Sequence, residues 1–406
     1  MASTGVNLIR KLRALLGTGA TVGTDPNGMP RVFPRTEEGV AAVLATASSE
    51  GWRVRVEGSA HWIPADAPAD LAISTRSLAG VVNLDPPDLV ATVQAGILWD
   101  ELRQKLADHG VWVAQDPPGA HRTLGSIVAT ASSGPLRTGF GNLREHVLGL
   151  TLVTGEGRII RPGGRVVKNV AGFDLVKLAT GSFGAFGIIT SLNLRLRAVP
   201  QADLTLTVRG NRDALTREAL ALMEQGATPA AMELLGEELS LGDGWILAIR
   251  LIGSWAAVDA DRQSIAAVLT LPTSELKGDP ARQFWRLWLE RQAQSPITLR
   301  LGTLPSAMDE ALDLLAHHLE GGTVAASIPA GSIRWSGTAP ADRIRVLRHA
   351  AAQREMPVTV ERAPWDLRHT LGHFGAYCEG VGRITKALRR TFDPAGVLVV
   401  PLDDDR

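Results

Sequence analysis

The sequence has one cysteine, Cys378, and one tyrosine among its 406 residues. A single thiol cannot ligate an iron–sulfur cluster, complete a thiolate zinc site or form an intramolecular disulfide, and it is typical of a reducing compartment. A surplus of charge is also missing, because 42 basic residues equal 42 acidic residues. The composition therefore offers no basic surface for nucleic acid.

Long apolar runs and several common cofactor motifs are absent as well. No run approaches the length of a membrane span, and Arg10, Lys11 and Arg13 fall inside an amphipathic N-terminal pattern unlike a signal peptide. We therefore expect a cytoplasmic protein that reaches the inner membrane at most through partners. The sequence shows no G-x-G-x-x-G in a suitable place, no Walker loop, no H-E-x-x-H and no G-x-S-x-G. No metal site is expected.

The first third of the chain has the pattern of an α/β domain. Helical spacing over 37–48 follows Thr36, a good N-cap residue, and the alternating strand 52–57 runs directly into Gly58-Ser59-Ala60-His61. Small residues after a buried strand let main-chain amides approach a phosphate. With 406 residues, the chain is too long for one core, so at least two domains are expected.

Two later segments are rich in small residues. Residues 116–141 combine Pro, Gly, Ser and Thr, which predicts a surface loop with many N–H and O–H donors for a polar ligand. Residues 168–197 begin with a polar turn, continue through a short helix and place Gly181, Gly184 and Gly187 before a strand. Glycines at this density permit positive φ and close approach of main chain to a ligand.

The second half predicts a different architecture. Alternating strands near 204–208 and 245–251 are interleaved with helices near 214–225 and 258–268, which favours an α+β domain with an antiparallel sheet. Six tryptophans lie here and are expected to serve mainly in packing. A last helix is expected over 380–392.

The order of these motifs resembles a known family. The series VFPRT, PPG, TLGS, ATASSG, FGNLREHVLGL and KNVAGFDLVKL followed by GSFG and GIIT is similar to the FAD-binding domain of the vanillyl-alcohol oxidase and p-cresol methylhydroxylase (PCMH) type. Within it, the chain most resembles the E-type FAD-binding subunits of bacterial glycolate oxidases. The resemblance implies an α+β fold: a PCMH-type FAD-binding domain of two α/β subdomains (1–200), a C-terminal α+β cap with an antiparallel sheet (201–381), and a tail (382–406) that returns to the FAD domain.

The resemblance also implies a set of cofactor contacts. Gly58, Ser59, Ala60 and His61 would form the first pyrophosphate loop, and the 184–189 segment would meet adenine and ribose. Further contacts would come from the 116–141 segment. The implied residues beyond the first loop are Pro118, Gly119, Thr123, Leu124, Gly125, Thr130, Ser132, Gly184, Gly187, Ile188 and Ile189. FAD is expected to be held non-covalently, although His61 aligns with a position where some relatives attach flavin.

Candidates for the chemistry are fewer. Oxidation of a 2-hydroxy acid needs a cation for the carboxylate and a base for the hydroxyl proton. Arg137 is the preferred cation, ahead of Arg334 and Arg368, and His369 and His373 could share a helical face. The His-Ala-Gly-Asp-Gly-Asn-like stretch of related D-2-hydroxyacid dehydrogenases is replaced here by Ser-Ile-Pro-Ala-Gly at 327–331, without histidine.

Three functions remain open on this basis. The first is an FAD-binding subunit of glycolate oxidase, working beside a second flavoprotein subunit and an iron–sulfur subunit that supplies the clusters this chain cannot ligate. The second is a stand-alone FAD-dependent 2-hydroxyacid dehydrogenase or oxidase. The third is a flavin-retaining structural subunit without turnover of its own.

Overall fold

The computed structural model describes residues 2–25, 27–59, 67–165, 173–240, 244–374 and 379–400. Its first half contains α1 Ala2–Leu16, β1 Ala20–Thr24, β2 Pro30–Pro34, α2 Glu37–Glu50, β3 Val54–Glu57, β4 Leu71–Ser74, β5 Val81–Asp85, β6 Val90–Gln94, α3 Trp99–Ala107, β7 Val111–Trp112, α4 Leu124–Ala129, α5 Arg137–Phe140, β8 Val147–Val153, β9 Ile159–Ile160, α6 Leu175–Ala179, β10 Ile188–Arg195 and β11 Arg197–Ala198.

The second half continues with β12 Ala202–Gly210, α7 Arg212–Glu224, β13 Ala231–Leu235, α8 Glu237–Ser240, β14 Trp245–Gly253, α9 Trp255–Val268, β15 Thr273–Lys277, α10 Asp279–Gln294, β16 Ile297–Gly302, α11 Met308–His318, β17 Thr323–Ser327, β18 Ser332–Gly337, α12 Ala341–Ala352, β19 Val358–Arg362, α13 Trp365–Leu371, α14 Glu379–Phe392 and β20 Leu398–Val399.

The first half forms two five-stranded sheets. The first has the order β1-β2-β4-β3-β20, parallel except for β1, and the second has the order β5-β6-β10-β8-β9, antiparallel throughout. The predicted helix at 37 is confirmed with its cap, because the Thr36 side chain accepts a hydrogen bond from the Gly39 amide. Leu192, Leu194 and Leu196 alternate along β10 and just beyond it, and all three are buried.

The chain returns to the first sheet at its end. Strand β20 pairs in parallel with β3, and the Asp393 carboxylate accepts hydrogen bonds from the amides of Val397 and Leu398, both at 2.9 Å. The division into 1–200, 201–381 and 382–406 itself stays a prediction.

The eight-stranded sheet has two chemically different faces. It is antiparallel, in the order β15-β12-β14-β13-β17-β18-β16-β19. One face packs on α7, α9, α11 and α12 through residues such as Leu206, Ile249 and Leu299. Because side chains alternate along a strand, the intervening positions lie on the other face. Part of that face is covered by Trp285 and Trp288 of α10, and the rest carries charged residues.

The segment 116–141 differs from its prediction. A surface loop was expected, but the segment contains α4 and α5, and half of its residues are buried. Its position between the second sheet and the cap explains this. The Gly139 amide donates to the carbonyl of Ala230 at 3.1 Å, and Thr138 Oγ1 lies 3.4 Å from Ser327 Oγ. The small residues therefore allow close packing between the two halves of the molecule.

Candidate functional site

A cavity lies where the carboxyl ends of β3 and β4 meet the start of β10. Parallel strands commonly bind ligands at this end. The cavity brings together residues from four separate stretches of sequence. They are Val56, Glu57, Thr75, Gly125, Ser126, Ala129, Thr130, Phe183, Gly184, Gly187, Ile188 and Ile189. Six of the predicted cofactor residues are among them.

 The fold thus gathers residues between Val56 and Ile189 around one space.

The chemistry of this cavity's lining suits the adenine and ribose part of a dinucleotide. Gly184 has φ +81°, and a Cβ placed on it would meet only the carbonyl oxygen of Gly187, at 3.9 Å, so that any side chain here would project into the space. The charge of Glu57 is already neutralised by Arg31 and Arg55, each 2.7 Å away. The cavity therefore presents main chain, hydroxyls and apolar surface, which suit adenine and ribose better than they suit a small charged ligand.

Several predicted contacts are already used within the protein. The amides of Leu124 and Gly125 donate to the carbonyls of Ile97 and Ala95, at 2.9 and 2.7 Å, so neither is free to bind a phosphate. Leu124 is a core residue. Thr123 Oγ1 caps α4 by accepting from the Ser126 amide at 3.3 Å. These two amides therefore fix α4 to the second sheet, and a contact of Leu124 or Gly125 with the cofactor stays a prediction.

Thr130 and Ser132 are held by a residue that the sequence analysis did not select. Arg122 is buried, and its guanidinium donates to Thr130 Oγ1 at 2.7 Å and to Ser132 Oγ at 2.8 Å. It also donates to the carbonyl of Pro118 at 3.3 Å, next to Gly119. Burial lowers the pKa of Arg122 to about 9, which leaves the group charged at neutral pH. Pro118, Gly119 and Ser132 thus lie with Arg122 beside the cap rather than in the cavity.

The remaining predicted cofactor residues are placed as follows. Gly58 and Ser59 follow β3, and the carbonyl of Gly58 accepts from Ser74 Oγ at 3.2 Å. Gly187 has φ +146°, and Ile188 and Ile189 are buried at the start of β10. Ala60 and His61 lie outside the described residues, as do Cys378 and most of the polar turn at 168–172.

The two histidine candidates do not come together. His369 is exposed on α13, where it stacks on Trp365, whereas His373 follows the helix end at Gly372 and is fully buried. His373 packs against Phe183 of the glycine-rich segment, with ring centroids 4.0 Å apart. Burial, together with the charge of Arg368, lowers the pKa of His373 to about 3. A shared helical face was expected, but the chain turns at Gly372 and separates the two rings.

The polar face of the cap sheet contains the residues that the sequence analysis largely missed. Arg300 and Arg334 are cross-strand neighbours, and both donate through Nε to the Glu361 carboxylate at 2.9 Å. Arg334 also donates to the carbonyl of Ser133 at 3.4 Å, which links the cap to the 116–141 segment. Burial would raise the pKa of Glu361, but Arg334 and Arg300 outweigh burial and lower it to about 2.

Arg137 and Glu233 complete this face. Within the described part of the chain, the Arg137 guanidinium has no hydrogen-bond partner, although it lies in the electrostatic range of Arg300, Arg334 and Glu233. Glu233 is buried opposite Ser327 in the sheet. Burial raises its pKa to about 8 despite the opposing hydrogen bond from Ser327 and the charge of Arg334. The structure therefore brings a partially desolvated cation and a proton-holding carboxyl group to one surface.

A simple sequence signal could have found these residues. Glu233, Arg300 and Arg334 are each the one charged residue in an otherwise uncharged strand (AMELL, ITLRLG and SIRWSG). A charged residue at a period-two position of a buried strand needs a partner across the sheet or in a site.

Among the described residues, no three His, Cys, Asp or Glu side chains converge as metal ligands. None of the described helices is both long and apolar enough to cross a membrane.

A family model and a solved structure match parts of this fold. Residues 30–163 match the family model described as FAD binding domain. The architecture is the α+β fold of PCMH-type FAD-binding proteins, with a C-terminal antiparallel sheet, as predicted. A solved structure of 4-ethylphenol oxidase from Gulosibacter chungangensis, in complex with isoeugenol, superimposes with a TM-score of 0.76 over 98% of this chain and 96% of that one. At 13% identity, this likeness shows the fold alone.

Curated relatives narrow the comparison. The chain is 32% identical over 201 residues to the glycolate oxidase subunit GlcE of Escherichia coli, which covers 43% of this chain and 56% of the relative. It is 33% identical over 215 residues to the mitochondrial D-lactate dehydrogenase (cytochrome) of Arabidopsis thaliana, covering 51% of this chain and 37% of the relative. The matches thus span about half or less of the length of these relatives.

Two glycine substitutions should separate packing from cofactor contact. Gly184→Val should abolish FAD retention because the side chain would enter the cavity, while the strain of a β-branched residue at φ +81° should lower stability by only about 1–3 kcal/mol and leave the chain folded. Gly125→Val should instead lower the stability of the whole domain, because a Cβ there would meet Ala95 Cβ at 2.8 Å. The flavin stoichiometry of both variants measures FAD retention, and their denaturant unfolding measures stability. Full flavin retention in a folded Gly184→Val protein would place the cofactor elsewhere.

The buried Glu233 carboxyl should make stability depend on pH. Its pKa is raised from 4.5 to about 8, so the folded state keeps a proton that the unfolded state releases. Its contribution to the free energy of unfolding is complete below pH 4.5 and is lost as pH rises toward 8, by up to about 1.4 kcal/mol per pH unit. In urea unfolding, the free energy of unfolding of the wild type should therefore fall relative to that of Glu233→Gln as the pH rises over this range. Parallel curves would contradict the assignment.

Proposed function

We propose that the chain binds FAD non-covalently and uses it to oxidise glycolate, or a related small 2-hydroxy acid, to the 2-oxo acid. We further propose that it does so as the FAD-binding subunit of a glycolate oxidase complex. The match to the FAD binding domain and the likeness to GlcE and to D-lactate dehydrogenase support the proposal. So does the cationic face of the cap, which an anionic substrate would need.

The cofactor would be held by the cavity and by the adjoining interface. Gly184 and Ser126 would face its adenine and ribose part, and Gly58 and Ser59 would lie near the diphosphate. Pro118 and Gly119 would then lie toward the flavin ring, where Arg122 fixes their backbone. When bound, FAD supplies the acceptor for the α-hydrogen and its electron pair.

The observation that carries the proposal is the unpartnered guanidinium of Arg137. Burial lowers its pKa, which means that the charged form loses hydration without a carboxylate in contact to replace it. A substrate carboxylate would restore two charge-assisted hydrogen bonds in the paired geometry that guanidinium favours. Arg137 therefore binds and orients the substrate at the face between the cap and the 116–141 segment.

The acceptor of the hydroxyl proton would be the ionised form of Glu233, which is the minor form at neutral pH. A general base works best when its pKa lies near the operating pH, and the pKa of Glu233 is about 8. His373 fits this role less well. Its Nδ1 lies 3.5 Å from Arg368 Nη1, a donor, and the ring resists protonation because its pKa is about 3. His373 would instead present its buried Nε2, which has no partner among the residues that the structure describes, as a hydrogen-bonding group.

The subunit role depends on electron transfer beyond this chain. One cysteine cannot ligate an iron–sulfur cluster, so a separate iron–sulfur subunit and a second flavoprotein subunit would carry electrons onward. The likeness to D-lactate dehydrogenase favours the alternative of a self-sufficient dehydrogenase. The histidine-free turn after β17, Pro329-Ala330-Gly331, favours the other alternative, a flavin-retaining subunit without turnover.

The absorption spectrum of the purified chain tests the proposal. We expect flavin bands that pass into the supernatant on acid precipitation, and anaerobic bleaching by glycolate or D-lactate. Full turnover by the chain alone with a soluble acceptor would favour the self-sufficient dehydrogenase. Retained colour without bleaching by any hydroxy acid would favour the structural subunit. A chain that takes up no FAD on reconstitution would refute all three.

Substitution of Arg137 should affect substrate binding more than cofactor binding. Arg137→Met should lower kcat/KM by about 30- to 150-fold, because a desolvated charge-assisted pair contributes roughly 2–3 kcal/mol. Arg137→Lys should recover part of this loss. Flavin content should stay unchanged in both variants, as measured by absorption. Equal kcat/KM for Arg137→Met and the wild type would remove Arg137 from the site.

A further inference from the structure

One carboxylate of the cap lies within the field of five guanidinium groups. Glu361 interacts electrostatically with arginines from both halves of the molecule. They are Arg122, Arg137, Arg300, Arg334 and Arg368. Arg122 and Arg368 are almost completely buried, with about 2% and 1% of their surface exposed. Such a concentration of like charge at an interface is costly unless anions compensate it.

The carboxyl group of Glu233 does not supply that compensation. It lies in the electrostatic range of Arg137 and Arg334, but with a pKa of about 8 it holds its proton at neutral pH. Glu361, with a pKa of about 2, is ionised throughout. A single bound carboxylate would therefore leave most of the surplus positive charge in place.

The hydrogen-bond geometry leaves N–H donors for a second anionic group. Glu361 contacts Arg300 and Arg334 through their Nε atoms, so the outer ends of both guanidinium groups remain available. Their other contacts are long, at 3.5 Å from Arg300 Nη2 to Thr359 Oγ1 and 3.4 Å from Arg334 Nη2 to the Ser133 carbonyl. Because the two arginines face each other across adjacent strands, Glu361 holds their guanidinium groups side by side.

Arg122 and Arg368 play a different part. Arg122 is bonded to Thr130 and Ser132, and Arg368 Nη2 donates to the carbonyl of Glu361 at 2.8 Å. Both guanidinium groups donate hydrogen bonds within the protein, and both add to the positive potential of this region. The groups that can contact an anion are Arg137 on one side and the Arg300–Arg334 pair on the other.

We propose that the substrate carries two carboxylates, as a small 2-hydroxy dicarboxylic acid does. This inference rests on the proposed function and specifies its substrate class. Arg137 binds the carboxylate beside the hydroxyl group, and the Arg300–Arg334 pair binds the second carboxylate. A monocarboxylate such as glycolate binds through Arg137 alone.

Unreactive carboxylates titrated into the FAD-loaded chain test the substrate class. Succinate and glutarate are compared with propionate and butyrate at constant ionic strength, by perturbation of the flavin spectrum and by calorimetry. The better dicarboxylate should bind at least tenfold more tightly than the monocarboxylates. In Arg300→Met this ratio should fall toward one while monocarboxylate affinity is kept, and Arg300→Lys should restore part of the ratio.

The matched control is Arg345→Met, which removes an exposed guanidinium paired with Asp342 on α12. It should leave the ratio unchanged. Equal affinity for both classes of acid, or an equal loss of both in Arg300→Met, would overturn the inference. The inference would also be overturned if inorganic pyrophosphate bound to Arg137, Arg300 and Arg334 in the FAD-free chain while the FAD-loaded chain bound no dicarboxylate. These arginines would then bind the cofactor.

The two levels of the proposal fail in different ways. A chain that binds no FAD defeats the proposed function. An FAD-loaded chain that binds monocarboxylates as tightly as dicarboxylates leaves that function intact and defeats the substrate class alone.

Discussion

The constraint on which the rest of this structure depends is the burial of guanidinium groups between the cap sheet and the 116–141 segment. A charge that leaves water must find a partner, or the folded state loses stability. Glu361 satisfies two arginines at once, and Arg334 extends the network to the carbonyl of Ser133 on the other half of the molecule. The interface is therefore held by directional polar contacts, which fix the relative positions of the residues better than an apolar contact of similar size would.

This polar interface and the cavity between the two five-stranded sheets have complementary chemistry. The cavity has its one lining carboxylate neutralised by arginines and otherwise presents main chain, hydroxyls and aliphatic groups. The interface concentrates positive charge on side chains. A dinucleotide with a flat ring at one end needs both environments, since its adenine end is recognised by shape and main chain while its reactive end must share space with an ionic substrate.

The glycine-rich segments show how one composition can serve two purposes. Gly184 borders open space, in agreement with a role in admitting a ligand, whereas Gly125 lies against Ala95 and allows α4 to pack on the second sheet. The sequence patterns of the two positions are alike. The difference lies in what the absent Cβ would have touched, and that depends on strands far away in the chain. Small residues therefore predict a close approach at both positions, but they do not say whether the neighbour is protein or ligand.

The sequence by itself determined the strand and helix periodicity, the Thr36 cap, the α+β class and the family resemblance, because each depends on residues close together in the chain or on ordered motifs. Tertiary structure decided which polar groups are free. It committed the amides of Leu124 and Gly125 to the second sheet, separated His369 from His373, and gathered Glu233, Arg300, Arg334 and Glu361 on one face. These outcomes follow from pairings between distant strands, and the desolvation that shifts a pKa exists only after those strands have packed together.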